Sequence, residues 1–402
     1  MTGIRWKVAM ELVLVGDLGG PGHGVMSGGF DLSALAGALV ERGHQVRAYT
    51  PLPVAADSAL IETAAGYAVV PIPVGRHPVT DADLMPRINE MGLFLLAAWA
   101  AQPPDVVHCQ GWVYGMAAQL AADRSHIATV QAFDSLSTVR RRFDHGGDRY
   151  TATARLESLL AKNATRVVTS CTDDMAEVIR MGRSRRHVSV LPGAVDVERY
   201  AVNGDTAGRD VGRHRVVAVV RTPVLHRGFD YLVEALAALP SVELVLAVGR
   251  AADGTAVHDL MDRATHFGVR ERLRVIEVAD DGQLAPLLRS ADVVVCPSVY
   301  EPCGTTVLEA MACAAPVVAT AAGAALDAVV HDVTGLLVPP MNADALARAI
   351  KSILAQYVLR EGMGLAGRAR VRSRYGWDRV AADAEAVYAA AFADVLALVR
   401  LR

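Results

Sequence analysis

The 402-residue chain has little lysine and little excess charge of either sign. Lysine occurs only at Lys7, Lys162 and Lys351, so arginine supplies nearly all of the positive charge, a bias typical of a GC-rich bacterial genome. The formal net charge of -3 provides no basic footprint of the kind that nucleic-acid binding needs. We therefore expect small-molecule ligands and no nucleic acid.

Cysteine and long apolar runs are also scarce. The five cysteines are odd in number and form no CxxC pair, which argues against a disulfide framework or a zinc site and favours a cytoplasmic protein. The longest apolar helical stretch, Met91 to Ala101, is too short to span a bilayer. We predict a buried helix there and no transmembrane segment. A homodimer is one assembly that the sequence permits.

Short β-branched runs alternate with alanine- and leucine-rich stretches along the chain, a pattern typical of parallel α/β architecture. The predicted strands are Val8–Val15, Gln45–Tyr49, Val106–His108, Thr129–Ala132 and Arg166–Thr169, then Arg215–Val220, Glu243–Val248, Arg274–Glu277, Val293–Cys296 and Pro316–Ala319. The polar segment from Arg199 to Arg215 is the predicted linker. Two such sheets facing one another would bind a ligand at the carboxyl ends of their strands.

A glycine-rich loop, Gly16 to Phe30, follows the first predicted strand. Without Cβ atoms its backbone can approach a ligand closely. The dinucleotide motif GxGxxG does not fit, because Gly22 and Gly24 would need a third glycine at Ser27. A loop that lines a ligand cleft, with Gly29 near the ligand, is favoured; a purely structural loop is the alternative.

The stretch VYEPCGTTVLEAMACAAPVVA carries two glutamates eight residues apart. A helix predicted to begin near Thr305 would present free N–H groups at the positive end of its dipole, which is a phosphate site. Glu309, one turn inside, could accept hydrogen bonds from a ribose diol, and Glu301 would lie on the sugar side of the phosphates. Surface charge with helix capping is the alternative. The DxD pattern at Asp81 and Asp83 is explained more simply by a helix start.

Several segments, in chain order, resemble the retaining glycosyltransferases with the GT-B fold, a family that includes sucrose synthases and mycothiol-pathway transferases. The stretch with the two glutamates resembles the family's E-x7-E donor segment; PPDVVHCQGWVYGMAAQLA, VVTSCTDDMAEVI, VSVLPGAVDVERY and VVRTPVLHRGFDYLVEAL resemble other parts. The likeness implies two Rossmann-like α/β domains facing a central cleft. Residues 1–200 would bind the acceptor and residues 201–375 the donor, and a C-terminal helix, residues 376–402, would cross back to the first domain.

The resemblance also implies a metal-independent hexosyltransferase with a nucleotide sugar, most often a UDP-sugar in the family, as co-substrate and no separate cofactor. Glu301 would contact the transferred sugar, Glu309 the ribose, and Val278 would lie near the base. The diphosphate would be wrapped by Cys303, Gly304, Thr305, Thr306 and Val307. Arg221 and Arg227 match the family's phosphate-gripping arginine and lysine, and both suit phosphate oxygens. Glu301, Arg227, Arg221 and Asp134 are the candidate catalytic residues.

The acceptor side departs from the family pattern. Asp134 replaces a histidine near the anomeric carbon, with a helix N-cap as its alternative role, and of the usual H-x-H only His108 remains. The candidate acceptor-binding residues are Asp17, Asp31, His108, Trp112 and Asp134. Because carboxylates disfavour a phosphate nearby, they favour an amine-bearing polyol such as an aminocyclitol, as in antibiotic assembly. An inositol phosphate or another sugar stays open.

The sequence departs from the family pattern at two further positions, and other functions remain as alternatives. Ala314 replaces the first residue of the family's G-T-P turn, and Asp327 replaces a glutamate. The basic run from Arg140 to Arg142 would suit a phosphorylated acceptor. A pseudo-glycosyltransferase would keep the donor site without ordinary sugar transfer, and an epimerase on this fold would release UDP without an acceptor. A dinucleotide-dependent oxidoreductase lacks its fingerprint.

Overall fold

The computed structural model describes residues 9–18, 29–52, 60–74, 81–123, 125–133, 135–143, 150–209, 212–220, 228–249 and 254–400. Its strands are β1 (Glu11–Val15), β2 (Gln45–Leu52), β3 (Ile61–Glu62), β4 (Ala68–Pro73), β5 (Val106–Gln110), β6 (Ala128–Phe133), β7 (Arg166–Thr169), β8 (Val188–Val190), β9 (His214–Val220), β10 (Val242–Gly249), β11 (Leu273–Val278), β12 (Val293–Cys296), β13 (Val317–Thr320) and β14 (Leu336–Val338). Its α-helices are α1 (Leu32–Glu41), α2 (Asp81–Leu84), α3 (Ile88–Ala101), α4 (Trp112–Asp123), α5 (Ser137–Phe143), α6 (Thr151–Asn163), α7 (Thr172–Arg180), α8 (Phe229–Ala235), α9 (Gly254–His266), α10 (Asp281–Arg289), α11 (Thr305–Ala312), α12 (Ala324–Ala328), α13 (Ala343–Ala355), α14 (Tyr357–Arg374) and α15 (Trp377–Arg400).

The first eight strands form one sheet, in the order β3-β4-β2-β1-β5-β6-β7-β8, and only β3 pairs antiparallel. β1 lies inside the sheet, where its two faces enter different cores. Leu12 and Leu14 pack with residues of α1 and α15, whereas Val13 and Val15 pack with residues of α3 and α4. Burial on both faces explains why the strand reads as a continuous apolar run, as parallel strands do.

The remaining six strands form a second, parallel sheet in the order β11-β10-β9-β12-β13-β14. β9 again alternates between two cores: Val216, Ala218 and Val220 face one, and Val217 and Val219 face the other. The ten predicted strands are therefore present, with ends shifted by a few residues. Strands β3, β4, β8 and β14 lie at or next to sheet edges and were not predicted.

The predicted linker is wrong at its C-terminal end. β9 begins at His214, and Arg215 is buried, with its Nε 2.6 Å from the Glu243 carboxylate. Tyr200 is buried too, and the Ala207 N–H donates to the Pro286 carbonyl at 3.0 Å. This part of the chain is packed onto the second sheet. A buried arginine cannot be recognised from the sequence, because the glutamate that compensates it lies elsewhere in the chain.

Helix α15 returns to the first sheet, as the resemblance implied. Val380, Ala381, Ala384, Tyr388 and Ala391 are buried there in one core with β1 and β6. Ion pairs reinforce the contact, because the guanidinium of Arg42 lies 3.0 Å from Asp378 and 2.6 Å from Glu385.

The apolar stretch predicted as a buried helix is α3. Met91, Leu95 and Trp99, at helical spacing, are each at most 1% exposed and pack against α4. Among the described residues, no helix is both long and apolar enough to cross a membrane.

Candidate active site

The carboxyl edges of the two sheets lie against each other. Ser170, directly after β7, has its hydroxyl 3.6 Å from the Cys303 sulfur, which lies between β12 and α11. The Tyr300 hydroxyl donates a hydrogen bond to Asp174 of α7. Residues that follow strands of both sheets therefore meet, at the place where α/β sheets bind ligands.

Helix α11 begins at Thr305, as predicted. It follows the carboxyl end of β12, so its N-terminus lies at this edge, and the first N–H groups of an α-helix have no intrahelical partner. Gly304, at the N-cap, has a φ of 65°, and a Cβ on it would lie 2.9 Å from the Ala324 Cβ. Glycine therefore allows the tight turn that exposes the helix dipole to an anion.

Glu309 lies one turn inside α11, on the same face as Thr305, and is only 4% exposed. A carboxylate at this position can accept hydrogen bonds from the two hydroxyls of a diol. Glu301 is half-buried in the loop before the helix. Its carbonyl accepts from the Ala324 N–H at 3.0 Å, and a Cβ on Gly323 would lie 2.5 Å from that carbonyl oxygen. The loop after β13 thus fixes the backbone that carries Glu301.

The other predicted donor residues differ in exposure. Cys303, Thr306, Val307 and Val278 are buried, and Val278 ends β11 at the carboxyl edge. For the buried ones, the backbone is the part available to a ligand. Gly29 is exposed just before α1. Arg221 and Arg227 lie outside the described residues.

One of the predicted acceptor residues, Asp31, lies at a helix start. Asp31 is the N-cap of α1, and its side chain accepts from the Ala34 N–H at 2.9 Å. Asp134 lies outside the described residues. The start of α5, which follows it, is capped from elsewhere: the Ser137 N–H donates to Glu157 of α6 at 2.9 Å. Burial raises the pKa of Glu157 to about 7.

The predicted acceptor residues Asp17 and Trp112 follow β1 and β5 at the carboxyl edge of the first sheet. The Trp112 indole N–H donates to the Asp81 carboxylate at 2.8 Å. Asp17 is exposed after β1. The pKa of Tyr114 is raised by burial and further by the charges of Asp17 and Asp81, so both carboxylates act on one phenol. The start of α2, interpreted as a helix start only, therefore also supplies the acceptor for the Trp112 indole.

His108 is buried within a hydrogen-bonded chain. Its Nδ1 lies 2.9 Å from the Tyr388 hydroxyl of α15, and its Nε2 lies 3.1 Å from the Gln110 side-chain oxygen. Burial lowers the pKa of His108 to about 4, so the imidazole is neutral at physiological pH. His108 and Gln110 line a small pocket with residues that include Phe30 and Ser170. The neutral, buried imidazole therefore orients Gln110 and does not act as a proton carrier.

Sequence reasoning missed the residues that join the two sheets, including Ser170, Asp174 and Tyr300. Asp174 follows β7 at the carboxyl edge, so the strand-end rule that singled out Glu301 could have found it. Among the described residues, no cluster of three His, Cys, Asp or Glu side chains is arranged to hold a metal ion.

Solved structures share this architecture. Sucrose-phosphate synthase from Thermosynechococcus elongatus superposes with a TM-score of 0.82 over 95% of this chain and 99% of that chain, at 23% identity. The Anabaena protein HepE in complex with UDP-glucose superposes with a TM-score of 0.72 over 94% and 100%, at 19% identity. These likenesses, the two facing sheets and the returning α15 confirm the GT-B fold.

Two family models match the chain, one on each sheet. The model described as Glycosyl transferase 4-like domain matches residues 31–194, and the model described as Glycosyl transferases group 1 matches residues 209–370. D-inositol 3-phosphate glycosyltransferase of Xylanimonas cellulosilytica is 32% identical over 97% of this chain and 98% of that protein. A protein of the same name from Mycobacterium marinum is 28% identical over 97% of this chain and 87% of that protein. The chain therefore belongs to the group 1 glycosyltransferase family and is a sugar-transferring enzyme.

Proposed function

We propose that this glycosyltransferase moves a hexosyl or aminohexosyl group from a nucleotide sugar, with UDP the favoured nucleotide, to a small polar acceptor with retention of configuration. The observation that carries the proposal is the start of α11. A left-handed glycine exposes the helix N-terminus, a buried glutamate follows one turn later, and a second glutamate lies just before the turn. The helix N-terminus would match the phosphates, the buried glutamate the ribose, and the second glutamate the sugar.

Each of these groups would have a role in the sugar transfer. Glu309 would accept hydrogen bonds from the ribose diol, and the N-terminus of α11 would hold the diphosphate. Arg227 and Arg221 would add positive charge as the leaving group becomes more anionic, which stabilises the transition state without a metal or a separate cofactor. Glu301 would orient the sugar while it departs and is attacked on the same face, through an oxocarbenium-like state. A diphosphate oxygen would take the acceptor proton.

For the acceptor, we favour an amine-bearing polyol such as an aminocyclitol. Asp17 follows β1 at the carboxyl edge of the first sheet, and the Asp81 carboxylate accepts a hydrogen bond from the Trp112 indole at 2.8 Å. Carboxylates attract an ammonium group, and an indole face can bind a cation. Antibiotic assembly is one setting in which such acceptors are glycosylated.

A phosphorylated acceptor is the second candidate. Relatives over the full chain are named D-inositol 3-phosphate glycosyltransferases. The basic run on α5 would bind the phosphate of such an acceptor. Two of its arginines, however, already interact with residues of the first domain. Arg142 pairs with the buried Glu177, and the Arg140 guanidinium donates to the Ser135 hydroxyl at 2.8 Å.

A competition assay separates these candidates. Matched cyclitols bearing an amine, a neutral group or a phosphate are offered together with the UDP-sugar, and the products are quantified by mass spectrometry. We expect the amine to be preferred and Asp17→Asn to reduce that preference. Asp123→Asn, at the far end of α4, is the control that should change nothing. Preference for the phosphorylated compound, unchanged in Asp17→Asn, would refute the amine.

UDP release tests the reaction type. A transferase should release UDP in proportion to the acceptor consumed. UDP formed at full rate without any acceptor would instead indicate an epimerase. A homodimer stays a prediction, which a molar-mass measurement in solution would test.

A further inference from the structure

Two helices from opposite sheets cap each other across the cleft. The N–H of Thr172, the first residue of α7, donates to the Asp327 carboxylate of α12 at 2.7 Å. In return, the N–H of Gly323, the N-cap of α12, donates to the Asp173 carboxylate of α7 at 3.0 Å. Neither helix has a side-chain cap from its own N-cap residue. Each helix start therefore receives a side-chain cap from the other domain.

A third contact joins α7 to the donor loop itself. The Tyr300 hydroxyl donates to Asp174, whose side chain is fully buried. Tyr300 directly precedes Glu301, so a bond that fixes the tyrosine also restrains the backbone of the glutamate. Because the Asp174 carboxylate is buried, loss of the Tyr300 hydroxyl would leave this carboxylate with one donor fewer, at a desolvation cost.

The backbones also approach closely at this boundary. A Cβ on Gly193, which follows β8, would lie 2.3 Å from the Cys303 carbonyl oxygen. Cys303 is the residue whose sulfur lies 3.6 Å from the Ser170 hydroxyl. The loop from Tyr300 to Cys303 is thus held at both ends by the first domain.

We propose that Thr172, Asp173, Asp174, Tyr300, Gly323 and Asp327 form an interdomain clasp that sets the position of the Glu301 loop relative to the acceptor domain. Asp174 and Tyr300 are its positioning residues. The inference rests on the proposed function, in which the donor is bound by the second domain and the acceptor by the first. Bond formation then depends on the relative placement of the two domains, and a misplacement of about 1 Å can cost roughly 100-fold in rate.

The clasp predicts a separation between turnover and donor binding. Tyr300→Phe and Asp174→Asn should each lower kcat at least about tenfold. The Kd of UDP, measured by calorimetry, should change less than about twofold, because the groups that bind the nucleotide lie within the second domain. The double variant should be no slower than the slower single variant, as residues in direct contact are not additive. Tyr231→Phe, on α8, is the control and should keep the wild-type kcat.

A cross-link tests the contact without any sugar transfer. In Ser170→Cys, mild oxidation should join the new thiol to Cys303, because their side-chain atoms lie within reach of a disulfide. Peptide mapping by mass spectrometry should locate the bond, and the same oxidation of wild type should give none.

The outcomes of the two experiments can be told apart. Failure of folded Ser170→Cys to cross-link, or a wild-type kcat in Tyr300→Phe, would overturn the clasp while leaving the transferase intact. If Ser170→Cys cross-links while the wild-type protein binds UDP but transfers sugar to no acceptor, the clasp contact would be supported and the proposed function refuted.

Discussion

Replacing Glu309 with glutamine should weaken the binding of UDP, because the variant loses the charge that accepts hydrogen bonds from the ribose. Glu309 is only 4% exposed. Water therefore cannot readily replace the lost carboxylate as the acceptor of the ribose hydrogen bonds. Hydrogen bonds to a charged partner contribute about 1.5–3 kcal/mol. Since about 1.4 kcal/mol corresponds to a factor of ten in Kd, the Kd of UDP should rise by about 10- to 150-fold. Glutamine keeps the shape of the side chain, which limits the effect on folding.

Titration calorimetry with UDP and with 2′-deoxy-UDP makes the test specific. Wild type should discriminate against the deoxy nucleotide, and Glu309→Gln should do so much less. Glu243→Gln is a matched control: Glu243 is also buried, in the same domain, but pairs with Arg215 at the amino edge of the sheet. It should lower the unfolding temperature and leave the Kd of UDP unchanged. Undiminished discrimination by Glu309→Gln would refute the assignment of Glu309 to the ribose.

Four further predictions concern turnover and stability. Arg227→Ala should mainly lower kcat, because charge builds on the diphosphate as the bond breaks; an unchanged kcat in a steady-state assay would contradict it. Deletion from Trp377 onward should give insoluble protein, since it uncovers the apolar surface beneath α15; soluble, active enzyme would count against it. Ala314→Gly should raise the free energy of unfolding in urea by up to about 1 kcal/mol, because Ala314 has a φ of 55° that favours glycine. His108 has its folded-state pKa lowered to about 4, so the unfolded chain takes up this proton first and the stabilisation present above pH 6.5 is lost as pH falls toward 4. The difference in unfolding free energy between wild type and His108→Gln should therefore shrink over that pH range, and a constant difference would show that the imidazole is not buried neutral.

The central strands and the donor segment were predictable because their signals are local. β9 and β12 are buried on both faces and read as unbroken apolar runs. The start of α11 follows from Gly304 and the apolar residues after Thr305. Strands at or next to the sheet edges, such as β4 and β14, lack that signal, since half-exposed positions and, in β4, two prolines interrupt the pattern.

The rest of the site depends on partners that are distant in the chain. Asp327 caps a helix 155 residues earlier, and Tyr388 bonds to His108 across 280 residues. The sequence near His108 or Asp327 does not predict such a distant partner. For Asp31, the local sequence pattern predicts the N-cap role. It does not predict whether the same residue also binds a ligand.

The return of α15 to the first sheet has a consequence for synthesis of the chain. The core of the first domain contains β1, near the N-terminus, and Val380, Ala384 and Tyr388, near the C-terminus. At about 5–20 residues per second, the roughly 190 residues between β8 and α15 take about 10–40 seconds to make. During that time the emerging first domain leaves an apolar face uncovered. We therefore expect translation speed and chaperone supply to influence the yield of this enzyme more than they would for a domain whose core closes within one continuous segment.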